Sequence, residues 1–377
     1  MDPYLRDVLD VLLRFLHVVA GIAWIGASFY FIRLDLGLRP AKGNSDAAGE
    51  YWGVHGGGFY HSQKYLVAPR ELPEPLHWFK WEAYTTWLSG FALLVVLYYF
   101  DADTRLVDQQ VADLETWQAV AISAGSLALG WLVYDALCRT VRDDRILGAA
   151  VAGLAVAAAW GMWELLAPRA AFIQVGAILG TIMAANVFFS IIPAHRELIR
   201  AREEGRPPDP APGLAAKRRS VHNNYLTLPV VFTMLAGHFP ITYGREHGWL
   251  VLVAVGAIAV WVRHFFNLWH RERRAWWILA TAAVAVVALA IALEPDDEAS
   301  ATRLPTAVEV GAIVQLRCAT CHSGISAPAG VRLTSAADAR ARADLVATMV
   351  RTRTMPPGNA TGMTDSERRS LLAWLGR

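Results

Sequence analysis

Apolar residues run along this chain in long blocks. They do not alternate as in a half-buried strand, nor form the single stripe of a soluble helix. Leu147–Trp163 and Trp276–Leu293 contain no charged residue, and each approaches the ~20 residues an α-helix needs to cross a hydrocarbon core of ~30 Å. Such blocks recur near 8–31, 83–100, 117–138, 146–167, 170–194, 224–241, 248–268 and 275–293. By hydropathy they predict an all-α fold, a polytopic membrane bundle of about eight helices. The pattern changes after residue 294. A polar tether over 295–305 leads to a segment, 306–377, with the short helical patterns of a small separate domain, so that 1–294 form the bundle.

The polar residues between the blocks predict an orientation. The first loop carries Arg33, Arg39, Lys42, Lys64, Arg70 and Lys80, whereas the second is acidic, with Asp101, Asp103, Asp108, Asp113 and Glu115. Arg139, Arg142 and Arg145 follow in the third. Basic residues return after the fifth block, at Arg196, Arg200, Arg202, Arg206 and Lys217–Arg219, and after the seventh, at Arg271, Arg273 and Arg274. Every second loop is therefore basic, and cytoplasmic loops are the ones that collect Lys and Arg. This predicts a multi-pass protein of the bacterial inner membrane with both termini, and the small domain, on the periplasmic side. Gly205–Gly213 is a Pro-rich flexible stretch inside one cytoplasmic loop. The first block is too long, and lacks the basic flank, to be a cleavable signal peptide.

Composition agrees with a membrane protein. Of 377 residues 55% are hydrophobic and 18% charged, mean hydropathy is +0.31, and fifteen Trp suit membrane interfaces. A net charge of +2 indicates neither a nucleic-acid surface nor an acidic tail. Three Cys cannot build a disulfide framework.

Two of those cysteines carry the most specific motif. Cys318-Ala319-Thr320-Cys321-His322 has the C-x-x-C-H spacing of covalent haem c attachment, with two thiols for the porphyrin vinyl groups and the adjacent imidazole placed to ligate iron. A zinc site would need further Cys or His nearby, and the tail has none. For the second axial ligand the expectation is Met355, in the stiff Thr354-Met355-Pro356-Pro357 loop. A thioether there raises the iron potential and suits an electron acceptor. Met349 falls in a helical pattern, and Met363 precedes the capping box Thr364–Glu367.

Ionisable groups at membrane depth are costly, so each is a functional candidate. His17 is the deepest, and Arg14, His17, Gly21, Trp24 and Ser28 share one helix face. His17 reads as a haem ligand, a proton carrier, or a histidine satisfied by a neighbouring helix. A second group gathers at the cytoplasmic ends of the helices: His77, Lys80 and Glu82; His222, Asn223 and Asn224; and Arg263, His264 and Asn267. Any one member reads equally as a solvated or snorkelling interface residue. Together with Trp78, Trp81, Tyr84 and Phe266 they suit a planar anionic ring: aromatic faces to stack it, amides to read its edges, cations to balance its charge. Asn186 reads as a bridge between helices, Glu164 as interfacial, and Cys138 as an inert thiol.

The stretches RFLHVVAGIAWIGASFYFIRLD, GGGFYHSQKYLVAP, LHWFKWEAYTTWLSG and HNNYLTLPVVFTML, with the terminal CATCH domain, resemble the bacterial membrane-bound, cytochrome c-coupled urate oxidases (urate hydroxylases) over nearly the whole chain. The first helix alone also resembles helices of membrane haem proteins in porphyrin metabolism. The urate oxidase resemblance implies oxidation of urate to 5-hydroxyisourate, with oxygen taken from water and electrons passed to the fused haem c and on to a respiratory-chain acceptor. It suggests Glu82, His17, His77 or His222 as the base, with Lys80, Trp81, Asn223, Arg263 and Asn267 contacting urate. Cys318 and Cys321 would attach the haem, with His322 and Met355 as iron ligands. About 30 Å of hydrocarbon would separate a cytoplasmic urate site from a periplasmic haem, so a second, noncovalent haem b ligated by His17 is an added expectation. Competing readings are a quinol-oxidising module that reduces haem c, a transporter or sensor with a fused cytochrome, and a porphyrin-oxidising enzyme. Oligomeric state is left open.

Overall fold

The computed structural model describes residues 2–69, 71–207, 209–294, 304–324, 327 and 330–376. Arg70 and residues 295–303, most of the expected tether, lie outside the described residues. The chain is mostly helical, and a helix stands at each of the eight apolar blocks. Helix α1 is Pro3–Leu36, α2 Trp81–Leu94, α3 the short Ala102–Arg105, α4 Thr116–Thr140, α5 Asp144–Trp163, α6 Pro168–Asn186, α7 Ile192–Glu203, α8 Ala211–Ala236, α9 the short Pro240–Tyr243, α10 Gly248–Trp269 and α11 Trp276–Ala292. Among the described residues, five stretches are long and apolar enough to cross a membrane: Tyr4–Leu36, Thr116–Thr140, Asp144–Trp163, Pro168–Glu203 and Gly248–Trp269. Trp276–Ala292 is apolar but shorter. The α2 helix passes into a π-turn at Val95–Tyr99, and α8 begins with the basic run Lys217–Arg219.

One element corrects the all-α expectation. Residues 49–64, inside the first basic loop, form an antiparallel hairpin of β1 (Gly49–His55) and β2 (Gly58–Lys64). The turn residues Gly56 and Gly57 have φ of 58° and 81°. Two consecutive positive φ values are what a tight hairpin turn with the right strand twist requires, and glycine adopts them without steric cost.

The α6 helix forms the centre of the bundle. Phe172, Gln174 and Ile182 are fully buried, and α2, α4, α5 and α8 pack around it. At Gly176 an added Cβ would meet the Thr233 side chain of α8 at 1.9 Å; with no hydrophobic force between helices in lipid, such close backbone approach supplies the packing. Polar side chains in this core are paired, as when Gln174 accepts from Ser123 at 2.6 Å and donates to the Ser123 carbonyl at 2.8 Å. Asn186 bridges helices as expected, donating to Tyr134 and Asn223.

The two ends of the bundle differ. At one end the basic segments meet: Lys64 and Lys217 both reach Asp35, Arg39 pairs with Glu272, and Arg218 donates to Val141 O. At the other end sits the tail, built from α12 (Ala307–Arg317), α13 (Ala319–His322), α14 (Ala336–Ala341), α15 (Ala343–Arg351) and α16 (Asp365–Leu375) around a small core of Val310, Val314, Ala339, Met363 and Leu371. Gln110 donates to Met363 O at 3.0 Å, and the Tyr243 and Thr354 hydroxyls lie 3.4 Å apart.

Candidate functional site

At the basic end, α1, α8 and α10 converge on Arg263. The residue is 4% exposed, although no carboxylate pairs with it among the described residues. The guanidinium carbon lies 3.7 Å from the centre of the Phe29 ring of α1, a stacked placement that suits a planar, weakly hydrated cation. Arg263 Nε donates to Asn224 Oδ1 at 2.5 Å, and Asn224 Nδ2 donates to Asn267 Oδ1 at 3.1 Å. This relay fixes the orientation of both amides and leaves the Asn267 NH2 group at its far end. Arg263 Nη2 is buried without a hydrogen-bond partner. A buried charged donor left unpaired is costly unless a ligand completes it.

The sequence placed nine residues in one cluster, and the structure divides them. Arg263, Asn267 and Asn224 come together. Asn223 turns to α6, donating to Met183 O at 2.9 Å and accepting from Asn186, and His222 Nδ1 is 2.8 Å from the Tyr134 hydroxyl of α4. The division follows from helix geometry, because consecutive residues on α8 face different neighbours. His264 meets Tyr225 at 2.8 Å. In the segment before α2, His77 is exposed against Phe79. Lys80 Nζ lies 5.7 Å from the Trp78 ring and 5.5 Å from that of Trp81, and Trp81 is 66% exposed. Glu82 Oε2 is buried with no partner.

His17 sits on the seam between α1 and α2. Its Nδ1 is 3.0 Å from Thr86 O and 3.0 Å from Ser89 Oγ, and a Cβ at Gly90 would lie 2.8 Å from the imidazole. Since a carbonyl only accepts, Nδ1 carries the proton and Nε2 keeps its lone pair. The ring thus has the outer-sphere hydrogen bond typical of a metal-bound histidine, and its Nε2 is the atom that could hold an iron. No cluster of three or more His, Cys, Asp or Glu side chains with metal-binding geometry occurs among the described residues.

The sequence reading missed a cavity of about 710 Å³ at the basic end of the bundle. The β-hairpin roofs it, and Arg33, Tyr51, Trp52, Trp269, His270 and Arg274 line it. Burial and the neighbouring Arg33 and Arg263 charges hold His270 down to about 4, so it is neutral at physiological pH and its Nδ1 accepts from Arg33 Nη1 at 3.1 Å. The signal for this cavity was present in the first basic loop, where Gly56-Gly57 separates two runs of aromatic and polar residues.

In the tail, Cys318 is half-buried, Cys321 exposed and His322 half-buried. His322 Nδ1 donates to Val331 O at 2.6 Å, which again leaves Nε2 free for a metal. Met363 is wholly buried in the tail core, and Met355 is half-buried on a loop. That loop is held by Arg368, which donates to Val350 O at 3.1 Å, Met355 O at 2.8 Å and Asn359 Oδ1 at 3.1 Å. The adjacent Glu367 pairs with Arg317, the residue before Cys318, at 3.0 Å. The Trp374 indole N–H and Asn359 Nδ2 are buried without partners. A thiol pair, a pre-oriented imidazole and a loop thioether are the donor types a covalently attached haem would need.

Residues 3–294 match the family described as Urate oxidase N-terminal. The match covers the bundle and hairpin and ends before the tail. No curated protein and no solved structure matches the chain.

Proposed function

Because the chain belongs to the urate oxidase N-terminal family, we propose that its bundle oxidises urate to 5-hydroxyisourate and passes the electrons to a haem c on the tail. The balance is urate plus water giving 5-hydroxyisourate, two protons and two electrons. The observation that carries this reading is the unpaired Nη2 of buried Arg263 beside two oriented amides. Urate is a planar purine anion. A stacked guanidinium would hold its charge, and the Asn267 NH2 would donate to a ring carbonyl. Withdrawing two electrons makes C5 of the ring electrophilic, and water then adds there. A base must take the released protons. Glu82 is our assignment for it, since one of its carboxylate oxygens is buried and unpaired, whereas His222 is engaged by Tyr134 and His77 is solvated.

Cys318 and Cys321 would hold the haem c, which would supply one-electron acceptance and donation to a respiratory-chain carrier. His322 and Met355 would hold its iron. The proposal includes an inner-membrane location with the tail in the periplasm, supported by the basic end lying opposite the tail. At ~1.5 Å per residue, Arg263 lies about 22 Å along α10 from Gly248, and the tail docks near that far end. A haem b held by His17 belongs to the proposal for this reason. A pyridine haemochrome assay that finds haem c alone, in protein with full turnover, removes it.

The deciding experiment adds urate without oxygen to detergent-purified, oxidised protein and records its spectrum. The expected result is growth of the reduced haem band as urate absorbance falls. If urate leaves the haem oxidised while a quinol reduces it, the chain is a quinol-oxidising module instead.

A further inference from the structure

We infer that the cavity under the β-hairpin is a docking subsite that receives the purine anion and delivers it to Arg263. This rests on the urate-oxidising reading of the bundle and adds a binding site and a route of access to it.

Charge pairing within the cavity supports an anion. Of the two acidic residues lining it, Glu50 is held by His61 at 3.0 Å and Glu272 by Arg39 at 2.9 Å. Arg33 has neutral partners, with Nε donating to the Tyr51 hydroxyl at 3.3 Å and Nη1 to His270 at 3.1 Å. Arg274 lies over the Trp269 ring, its guanidinium carbon 5.6 Å from the centre. Among the described residues, Arg33 and Arg274 therefore line the cavity without carboxylates of their own. The wall also offers a flat apolar surface. Trp52, 61% exposed, stacks on His61 across the hairpin with ring centres 4.2 Å apart. Guanidiniums to bind charge and aromatic faces to stack on are the requirements of a planar anion. A volume of about 710 Å³ falls within the ~300–1,000 Å³ of small-molecule sites.

Position ties the cavity to the bundle interior. Phe29 and Arg33 lie one turn apart on α1, and His270, the residue that follows α10, lies two turns from Arg263. The Arg33–His270 and Phe29–Arg263 contacts are consequently successive rungs between the same two helices. An anion bound at the upper rung reaches the unpaired Nη2 of Arg263 by descending this seam. The neutral state of His270 leaves Arg33 as the charge at the upper rung.

The test measures urate-dependent haem reduction in the full-length protein across urate concentrations. Arg33→Gln is expected to raise KM by about tenfold or more with kcat changed less than about twofold, the signature of lost docking without lost chemistry. Arg33→Lys should restore part of the loss, and Trp52→Leu should raise KM by about threefold to tenfold. Trp52 is exposed, so that variant decides the matter if Arg33→Gln fails to fold. Unchanged KM in variants of a protein that oxidises urate overturns the cavity assignment and leaves the urate reading intact. A fall in kcat with KM unchanged overturns it as well. A wild-type protein that neither binds nor oxidises urate removes both.

Discussion

Two buried arginines at the same end of the bundle, Arg219 and Arg263, have opposite surroundings. Arg219 is 8% exposed and ion-paired. It pairs with Asp135 at 2.6 Å, donates to Asn186 at 3.1 Å, and lies within 5.5 and 5.8 Å of the Trp131 and Tyr134 ring centres. Arg263 is more deeply buried, meets no carboxylate, and keeps one nitrogen unpaired. The first arrangement ties α4, α6 and α8 together. The second stores an unsatisfied charge, which weakens a fold but suits a site that awaits an anion. A buried cation is therefore a binding candidate by virtue of what it lacks as much as of where it sits.

The sharpest break of this comparison is Asp135→Ala. Removing one partner of a buried pair strands the other, and we expect a loss of roughly 3 kcal/mol, read as a lower unfolding midpoint in detergent. Arg263→Gln should do the converse: the midpoint holds or rises, while kcat/KM for urate falls about 100-fold, worth about 2.7 kcal/mol in transition-state terms. A variant that loses stability and activity together would make Arg263 structural. On the proposed haem c reading of the tail, Arg368→Gln should leave the haem covalently attached but weaken Met355 ligation, read as loss of the long-wavelength Met–iron absorption band and a lower reduction potential. Unchanged spectra would free the Met355 loop from Arg368 control. The smallest effect concerns His270. Its folded pKa of about 4 lies below the unfolded value near 6.5, so the unfolded chain binds the proton more readily. The stabilisation is present above pH ~6.5 and drains away as pH falls toward ~4. His270→Gln should shallow the fall of the unfolding midpoint over that interval, by a modest amount because the ring is partly solvated.

Legibility differed between the halves of the problem. The apolar blocks were read correctly as helices because a long uncharged run has few other folded forms. The tail haem motif is contiguous in sequence, and its capping boxes at Thr306 and Thr364 are local signals. The hairpin passed unnoticed because basic residues dominated the reading of that loop, although its Gly56-Gly57 turn was in plain view. The candidate site was half legible. Spacing on α10 singled out Arg263 and Asn267, Arg33 was read only as loop charge and His270 was not read at all, and the structure turns Asn223 and His222 toward Asn186 and Tyr134.

Sequence by itself determined the helices, the basic and acidic alternation of the loops, and the chemistry available in the tail, since each depends on residues close together along the chain. Only tertiary structure decided which buried polar groups satisfy one another. Asn223 and Asn224 are neighbours in sequence with identical chemistry, yet one completes the Asn186–Tyr134 network and the other orients Arg263. A rotation of roughly 100° per residue around a helix axis sends them to different partners, and whether a partner is waiting there depends on helices far away in the chain.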